Sequence, residues 1–231
     1  MLRRDGTAAC WGSNLYSALG SAGVERSGTP LDVAGIAGGL EIVSGSAHVC
    51  VRTATEVWCW GRGSAGELGS PPTADSTSPR RVTGLPSRPV DLSAMRRGTC
   101  AALADGQVYC WGEAQGGVTP TRVAGLTDIV EVAATVGGGC ARDRSGGIWC
   151  WGANESGQHG DGTNTGPVSA PVGRATYLAE ATSVGCGRQH CCATRTSGQT
   201  VCWGLGTHGQ LADFTDTSSS FPVTTVDLSR Q

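Results

Sequence analysis

Cys100-Ala101-Ala102-Leu103-Ala104-Asp105-Gly106-Gln107-Val108-Tyr109-Cys110-Trp111-Gly112 reads as a β-hairpin closed by two facing cysteines. The cysteines stand 10 residues apart, and the midpoint between them is Asp105 followed by Gly106. A three-residue hairpin loop built on a type I turn needs its third residue left-handed, which glycine accepts at least cost. Ala104-Asp105-Gly106 meets that demand. So do Arg144-Ser145-Gly146, between Cys140 and Cys150, and Thr196-Ser197-Gly198, between Cys192 and Cys202. Cys50 and Cys59 are 9 apart and lack the glycine, leaving a two-residue loop, Ala54-Thr55, that still sets the cysteines opposite each other.

Directly opposed residues on antiparallel strands lie within reach of a disulfide. Four bridges are therefore expected, each closing a loop of about ten residues for about 2.5–3 kcal/mol in the chain-entropy model. Buried free thiols are the plain alternative, since cysteine is often a core residue. Repetition at hairpin register favours disulfides, and with them an oxidising, extracytoplasmic or secreted location.

Outward from this hairpin the same ending recurs. Cys-Trp-Gly closes five segments, with Trp11, Trp60, Trp111, Trp151 and Trp203 spaced 49, 51, 40 and 52 residues apart. A period of that size signals an array of one supersecondary unit. Each unit opens on a short β-like run: Leu40–Val43, Val90–Leu92, Ile129–Val132, Glu180–Val184 and Thr225–Leu228. The hairpin follows, then a glycine-rich turn, then an edge segment such as Pro79-Arg80-Arg81-Val82, where proline need not donate to a ladder. Four short strands in about fifty residues is the grammar of a propeller blade. The whole chain, 1–231, thus reads as one all-β propeller array. Its approximate units are 1–39, 40–88, 89–127, 128–179 and 180–231, the first and last incomplete. Five antiparallel four-stranded blades could close through a terminal latch, or the chain could be a slice of a longer ring. The five tryptophans, at one repeat position, are expected to pack between neighbouring blades.

Composition bounds the function. The 231 residues carry a net charge of -2 and no lysine, so no electrostatic footprint for nucleic acid is present. No apolar run approaches the roughly 18 residues of a membrane span, and no signal peptide is visible. The sequence implies no cofactor and no metal. A zinc reading of His48 with Cys50, or of His190 with Cys191 and Cys192, fails because Gly98 and Gly138 replace the histidine in the other two hairpins. Cys10, Cys186 and Cys191 remain as candidate free thiols, with Cys186 pairing to Cys191 as the alternative. The partner of Cys10 would belong one position before Met1. Gly61 to Gly66 and Gly204 to Gly209 satisfy the dinucleotide pattern but lack the strand–helix frame it requires. No nucleophile elbow, zinc-protease motif or calcium loop occurs, and no histidine has an acidic partner by spacing. Asn154-Glu155-Ser156 is a formal glycosylation sequon embedded in the repeat.

Gly45-Ser46-Ala47-His48, Gly187-Arg188-Gln189-His190 and Trp151 to Thr163 resemble the regulator of chromosome condensation repeat, as do Gly66-Glu67-Leu68-Gly69 and Gly209-Gln210-Leu211. The resemblance implies a propeller, usually seven-bladed, with repeat structural roles for His48 and His190. It covers nearly the whole chain, although Glu113-Ala114-Gln115-Gly116-Gly117 has lost about ten residues. The paired cysteines look like the secreted bacterial branch of that family. Members include a nucleotide exchange factor for a small GTPase, ubiquitin-ligase modules and a β-lactamase inhibitor, all acting through loops on one face. The same scaffold serves many functions, so the resemblance fixes no activity. The expectation is a non-catalytic module binding a protein partner through Glu25 to Asp32, Ser70 to Pro79 and Asn154 to Thr165, where units differ. GTPase exchange and an enzyme with an active site at the propeller channel are the alternatives.

Overall fold

A computed structural model describes residues 1–112, 117–165, 168–175 and 178–226. Its regular structure is antiparallel β-sheet, with one short 3-10 turn at Leu15–Ser17. The first sheet pairs β1 (Ala8–Ser13) with β2 (Arg26–Val33). The second holds β3 (Glu41–Ser44), β4 (His48–Arg52), β5 (Val57–Gly61) and β6 (Ser76–Arg81). The third holds β7 (Pro89–Met95), β8 (Gly98–Leu103), β9 (Val108–Gly112) and β10 (Gly117–Arg122). The fourth holds β11 (Ile129–Thr135), β12 (Gly138–Asp143), β13 (Ile148–Gly152) and β14 (Val168–Arg174). The fifth holds β15 (Ala181–Cys186), β16 (His190–Arg195), β17 (Thr200–Gly204) and β18 (Ser219–Thr224). Within each sheet the strands lie in chain order, the up-and-down meander of a β-propeller blade.

The hairpins close as their turn chemistry dictates. Leu103 N–H donates to the Gln107 carbonyl, Gly106 N–H donates back to Leu103, and Gly106 takes φ +80°. The shortened hairpin instead pairs Thr53 with Glu56 around Ala54 and Thr55. In each four-stranded sheet this register sets the cysteines opposite one another: Cys50 on Cys59, Cys100 on Cys110, Cys140 on Cys150, Cys192 on Cys202.

Residues Met1–Val123 and Ala124–Gln231 form two compact units. In the first, one apolar cluster joins Ala8 and Val33 to Val49, Val51 and Trp60, packing the first sheet on the second. A second cluster joins Val57, Leu68 and Val82 to Leu92, Leu103 and Trp111, packing the second sheet on the third. In the other unit, Ile148, Ala175 and Leu178 pack with Val184, Val201 and Trp203, joining the fourth sheet to the fifth. Stability in such an array resides in these interfaces between neighbouring repeats.

Three expectations need correction. Glu25 to Asp32 is not a display loop, because Arg26–Val33 is strand β2, and its Pro30 sits on an edge where no ladder bond is lost. Ser70 to Pro79 is shorter as a loop than expected, since β6 begins at Ser76. The proposed fifth opening strand, Thr225 to Leu228, has 225 and 226 outside any strand, and 227–231 lie outside the described residues.

Candidate functional site

The repeat tryptophan explains how one blade holds the next. The Trp60 indole N–H donates to the Ala18 carbonyl at 3.1 Å, Trp111 to Glu67 at 3.1 Å, and Trp203 to Gln158 at 2.7 Å. Each acceptor is the second residue of a four-residue turn: Ser17-Ala18-Leu19-Gly20, Gly66-Glu67-Leu68-Gly69 and Gly157-Gln158-His159-Gly160. All three rings are fully buried. The turn is organised by an asparagine. Asn154 accepts from the His159 N–H at 2.9 Å and donates to the Thr163 hydroxyl at 2.8 Å. Asn14 does the same work in the first unit, accepting from Leu19 and donating to the Ser21 and Val24 carbonyls. The sequon asparagine is therefore buried and fully engaged, so it has no free amide for a sugar.

This inverts the expectation for Asn154 to Thr165. Asn154, Gln158 and His159 are buried, and only Glu155 and Thr163 to Thr165 are exposed. Burial pushes the His159 imidazole below its ordinary pKa.

Histidine in the Gly-x-x-His signature is also a blade fastener. His48 Nε2 meets Thr99 Oγ1 of the next sheet at 2.8 Å, and burial lowers its pKa to about 4, keeping it neutral. A Cβ on Gly45 would stand 2.2 Å from the His48 ring, and one on Gly187 2.3 Å from the His190 ring. Glycine is thus required three residues before the histidine by close approach. His190 is only half-buried, with its pKa lowered by burial.

All five disulfides among the described cysteines span opposed strand residues. Cα separations are 4.1 Å for Cys50–Cys59 and Cys100–Cys110, and 4.0 Å for Cys140–Cys150 and Cys192–Cys202. Cys186 and Cys191 are not free thiols. They are joined across the turn between β15 and β16, where they are register partners, as Ser44 and Val49 are in the second sheet. Cys10 remains a free, half-buried thiol, and burial raises its pKa.

Sequence reading missed a third fastener. The Glu41 carboxylate accepts from the Arg52 guanidinium at 2.9 Å and from the Leu92 N–H of the next sheet at 3.1 Å. Glu131 repeats this with Arg142 at 2.7 Å and Val184 N–H at 3.2 Å. The signal was a glutamate and an arginine 11 residues apart, bracketing the hairpin in both units.

Trp11 is 52% exposed; the turn that buries its counterparts lies 42 to 45 residues earlier in the chain, which for Trp11 falls before Met1. Trp151 is only partly buried. Trp11 lines a cavity of about 300 Å³ with Cys10, Leu19, Ile42 and Val43, and Ser44 to Val49 complete the wall. Exposed Leu15 and Tyr16 follow in the same turn, with the Arg62 guanidinium 4.8 Å from the Tyr16 ring centroid. Tyr16 and Ser17 hold left-handed backbone, φ 61° and 63°, a strain of about 1 kcal/mol or more for each non-glycine residue. On β1, Met1 pairs with Ala9 and Leu2 with Ala8. The cavity wall is mixed, with Ser13, Ser44 and Ser46 among the apolar side chains. The carboxylates held below their ordinary pKa lie elsewhere, each turned onto its own loop. Asp5 accepts from Thr7 and Asp213 from Thr215. For Asp143, burial works upward but is outweighed by bonds from Ser145, Trp149 and Gly147.

Residues 56–101 and 145–194 match the regulator of chromosome condensation (RCC1) repeat, and residues 181–210 match a second description of it. The chain is an RCC1-repeat β-propeller chain. Human HERC2, an E3 ubiquitin-protein ligase, is 32% identical over 117 residues, which are 47% of this chain and 2% of HERC2. The ultraviolet-B receptor UVR8 of Arabidopsis thaliana is 26% identical over 234 residues, covering 94% of this chain and 53% of the receptor. The chain thus spans about half or less of these curated relatives. Among solved structures, human WBSCR16 superposes with a TM-score of 0.81 at 17% identity, over 98% of this chain and 64% of that one. Prp20p from Saccharomyces cerevisiae, described with its binding to Gsp1p and histones, gives 0.80 at 21% identity, over 98% and 60%. These structural likenesses carry the RCC1 fold. No described helix is long and apolar enough to cross a membrane.

Proposed function

We propose that this RCC1-repeat chain is a non-catalytic protein-binding module that works in an oxidising, extracytoplasmic setting. It binds its partner through loops that differ between units. The observation that carries the reading is the RCC1-repeat fold, shared with Prp20p, whose structure is described with its binding to Gsp1p and histones. Loops set on a rigid repeat scaffold are where recognition is usually placed. The stretch Pro71 to Asp75 and the residues Thr163 to Thr165 are such loops, largely exposed between strands. Five disulfides support the extracytoplasmic half of the reading, because a reducing compartment would not keep them.

The test is selection from a phage-displayed library of random peptides, followed by hydrogen–deuterium exchange on the complex. Selected peptides should protect the amides of Ala74 and Asp75 or of Thr163 to Thr165, and lose at least tenfold in affinity when the protected loop is replaced by glycine and serine. Peptides that protect neither loop, or that bind the replaced loop unchanged, would sink the proposal. Alkylation of the denatured, unreduced protein should label one thiol, Cys10; extensive labelling of protein from its native source would refute the extracytoplasmic assignment.

A further inference from the structure

We propose that Cys186–Cys191 and Cys140–Cys150 together form a thiol–disulfide exchange site. A dithiol reductant enters at Cys186, and the cross-link moves from within a blade to between two blades. The Cys140 and Cys191 sulfurs are 3.5 Å apart, and the sulfurs of Cys140, Cys186 and Cys191 all lie within 4.8 Å of one another. Both members of the close pair are already oxidised, so neither carries a proton and the approach is a bare sulfur–sulfur contact. It is built by the repeat rather than by accident. The residue just before the second-strand cysteine faces the cysteine of the preceding blade. In the second and third sheets that contact is Thr99 Oγ1 on Cys50 Sγ at 3.7 Å. In the fourth and fifth sheets the threonine is replaced by Cys191, which turns an inert contact into a reactive one.

Access sets the direction. Cys140, Cys150 and Cys191 are buried, and Cys186 alone of the four is partly exposed. Exchange proceeds by thiolate attack on the accessible sulfur, with the other sulfur leaving. A reductant thiolate bonds to Cys186 Sγ, the Cys186–Cys191 bond breaks, and Cys191 leaves with the electron pair. In an apolar interior that thiolate is poorly solvated, but it emerges against Cys140. Its attack there forms Cys140–Cys191, breaks Cys140–Cys150 and expels Cys150. The second sulfur of the reductant then closes on the first and releases Cys186. The dithiol becomes a cyclic disulfide, and its two electrons and two protons end on Cys150 and Cys186 as thiols. Of the two disulfides in the site one is left, tying β12 to β16. It adds a covalent tie between the fourth and fifth sheets to the packing and the hydrogen bonds, among them those of Glu131, Trp203 and Val136, that already hold them.

The oxidised protein, treated with substoichiometric dithiothreitol, quenched in acid, alkylated and digested with pepsin without further reduction, reports the order of events by mass spectrometry. The first reduced species should contain a Cys140–Cys191 cross-linked peptide, with label on Cys150 and Cys186. Any first reduced species that retains Cys140–Cys150 overturns the proposal. Cys186→Ser is the second test, because it leaves a Cys191 thiol against Cys140–Cys150 with no reductant present. Half or more of that protein should carry label on Cys150 rather than Cys191; label on Cys191 alone overturns the proposal.

Discussion

Replacing Trp111 with phenylalanine removes one indole N–H and part of one ring from the interface between the second and third sheets. The Glu67 carbonyl, now receiving the indole at 3.1 Å, would be left without that donor in a buried site. An orphaned buried acceptor costs about 1–3 kcal/mol. Truncating a buried tryptophan to alanine costs about 3–5 kcal/mol, and phenylalanine keeps roughly half of that packing. The expected destabilisation is therefore about 2.5–5.5 kcal/mol. For a chain of this size each kcal/mol moves the melting temperature by about 2–4 °C, so the drop should be on the order of 5–20 °C. Trp60→Phe and Trp203→Phe should behave alike, since each loses the same bond to the same motif position. Trp11→Phe is the internal control: its ring is exposed, and a surface change of this kind stays within about 0.5 kcal/mol. Scanning calorimetry under non-reducing conditions reads all four without relying on tryptophan fluorescence. Replacement of Trp111 by benzothienylalanine, which keeps the shape but lacks the N–H, separates the hydrogen bond from the packing. A Trp11→Phe loss equal to that of Trp111→Phe would refute the turn-and-indole fastener as the basis of blade cohesion.

His48 makes stability depend on pH. Its folded pKa of about 4 lies below the ordinary 6.5, so the unfolded chain takes the proton first. Nothing is lost above pH 6.5; below it stability falls by about 1.4 kcal/mol per pH unit, a total loss of about 3 kcal/mol at pH 4. Denaturant midpoints should follow that slope in the wild type and flatten in His48→Gln; a steep His48→Gln profile between pH 6.5 and 4 would count against it. Glu131→Ala removes an acceptor shared by Arg142 and the Val184 N–H and should cost about 1–3 kcal/mol, with faster exchange of the Val184 amide. Unchanged exchange there would place the fifth sheet's anchorage elsewhere. A cysteine added immediately before Met1 falls opposite Cys10, because Met1 already exchanges both backbone bonds with Ala9. It should close a sixth bridge, leave no alkylatable thiol and add about 2.5–3 kcal/mol; two labelled cysteines in the folded protein would show that the register is not set by the Arg4-Asp5-Gly6 turn.

How far the sequence could be read depended on whether both partners of an interaction lay close together in it. The hairpins were legible because the turn glycine and the two cysteines sit within 10 residues, so turn chemistry and covalent register check each other. Closeness alone was not enough for Cys186 and Cys191, which are 5 residues apart: no other repeat has cysteines at those positions to check the register, and only the strand pairing makes them partners. Trp11 exposes the limit of reasoning from repeat position. Trp60, Trp111 and Trp203 are buried because each has a turn carbonyl 42 to 45 residues earlier in the chain, so the environment of a tryptophan is not its own property but that of the preceding unit. The glutamate fasteners lie further out of reach, since Glu131 meets Val184 across 53 residues. Glu25 to Asp32 failed on local grounds instead: Gly28 and Pro30 signal a loop anywhere except on an edge, and β2 pairs only with β1. Trp11 obeys the same rule as the buried tryptophans: the turn that would receive its indole falls 42 to 45 residues earlier, before Met1, so its surroundings belong to a unit that the neighbouring repeats describe and its own sequence does not.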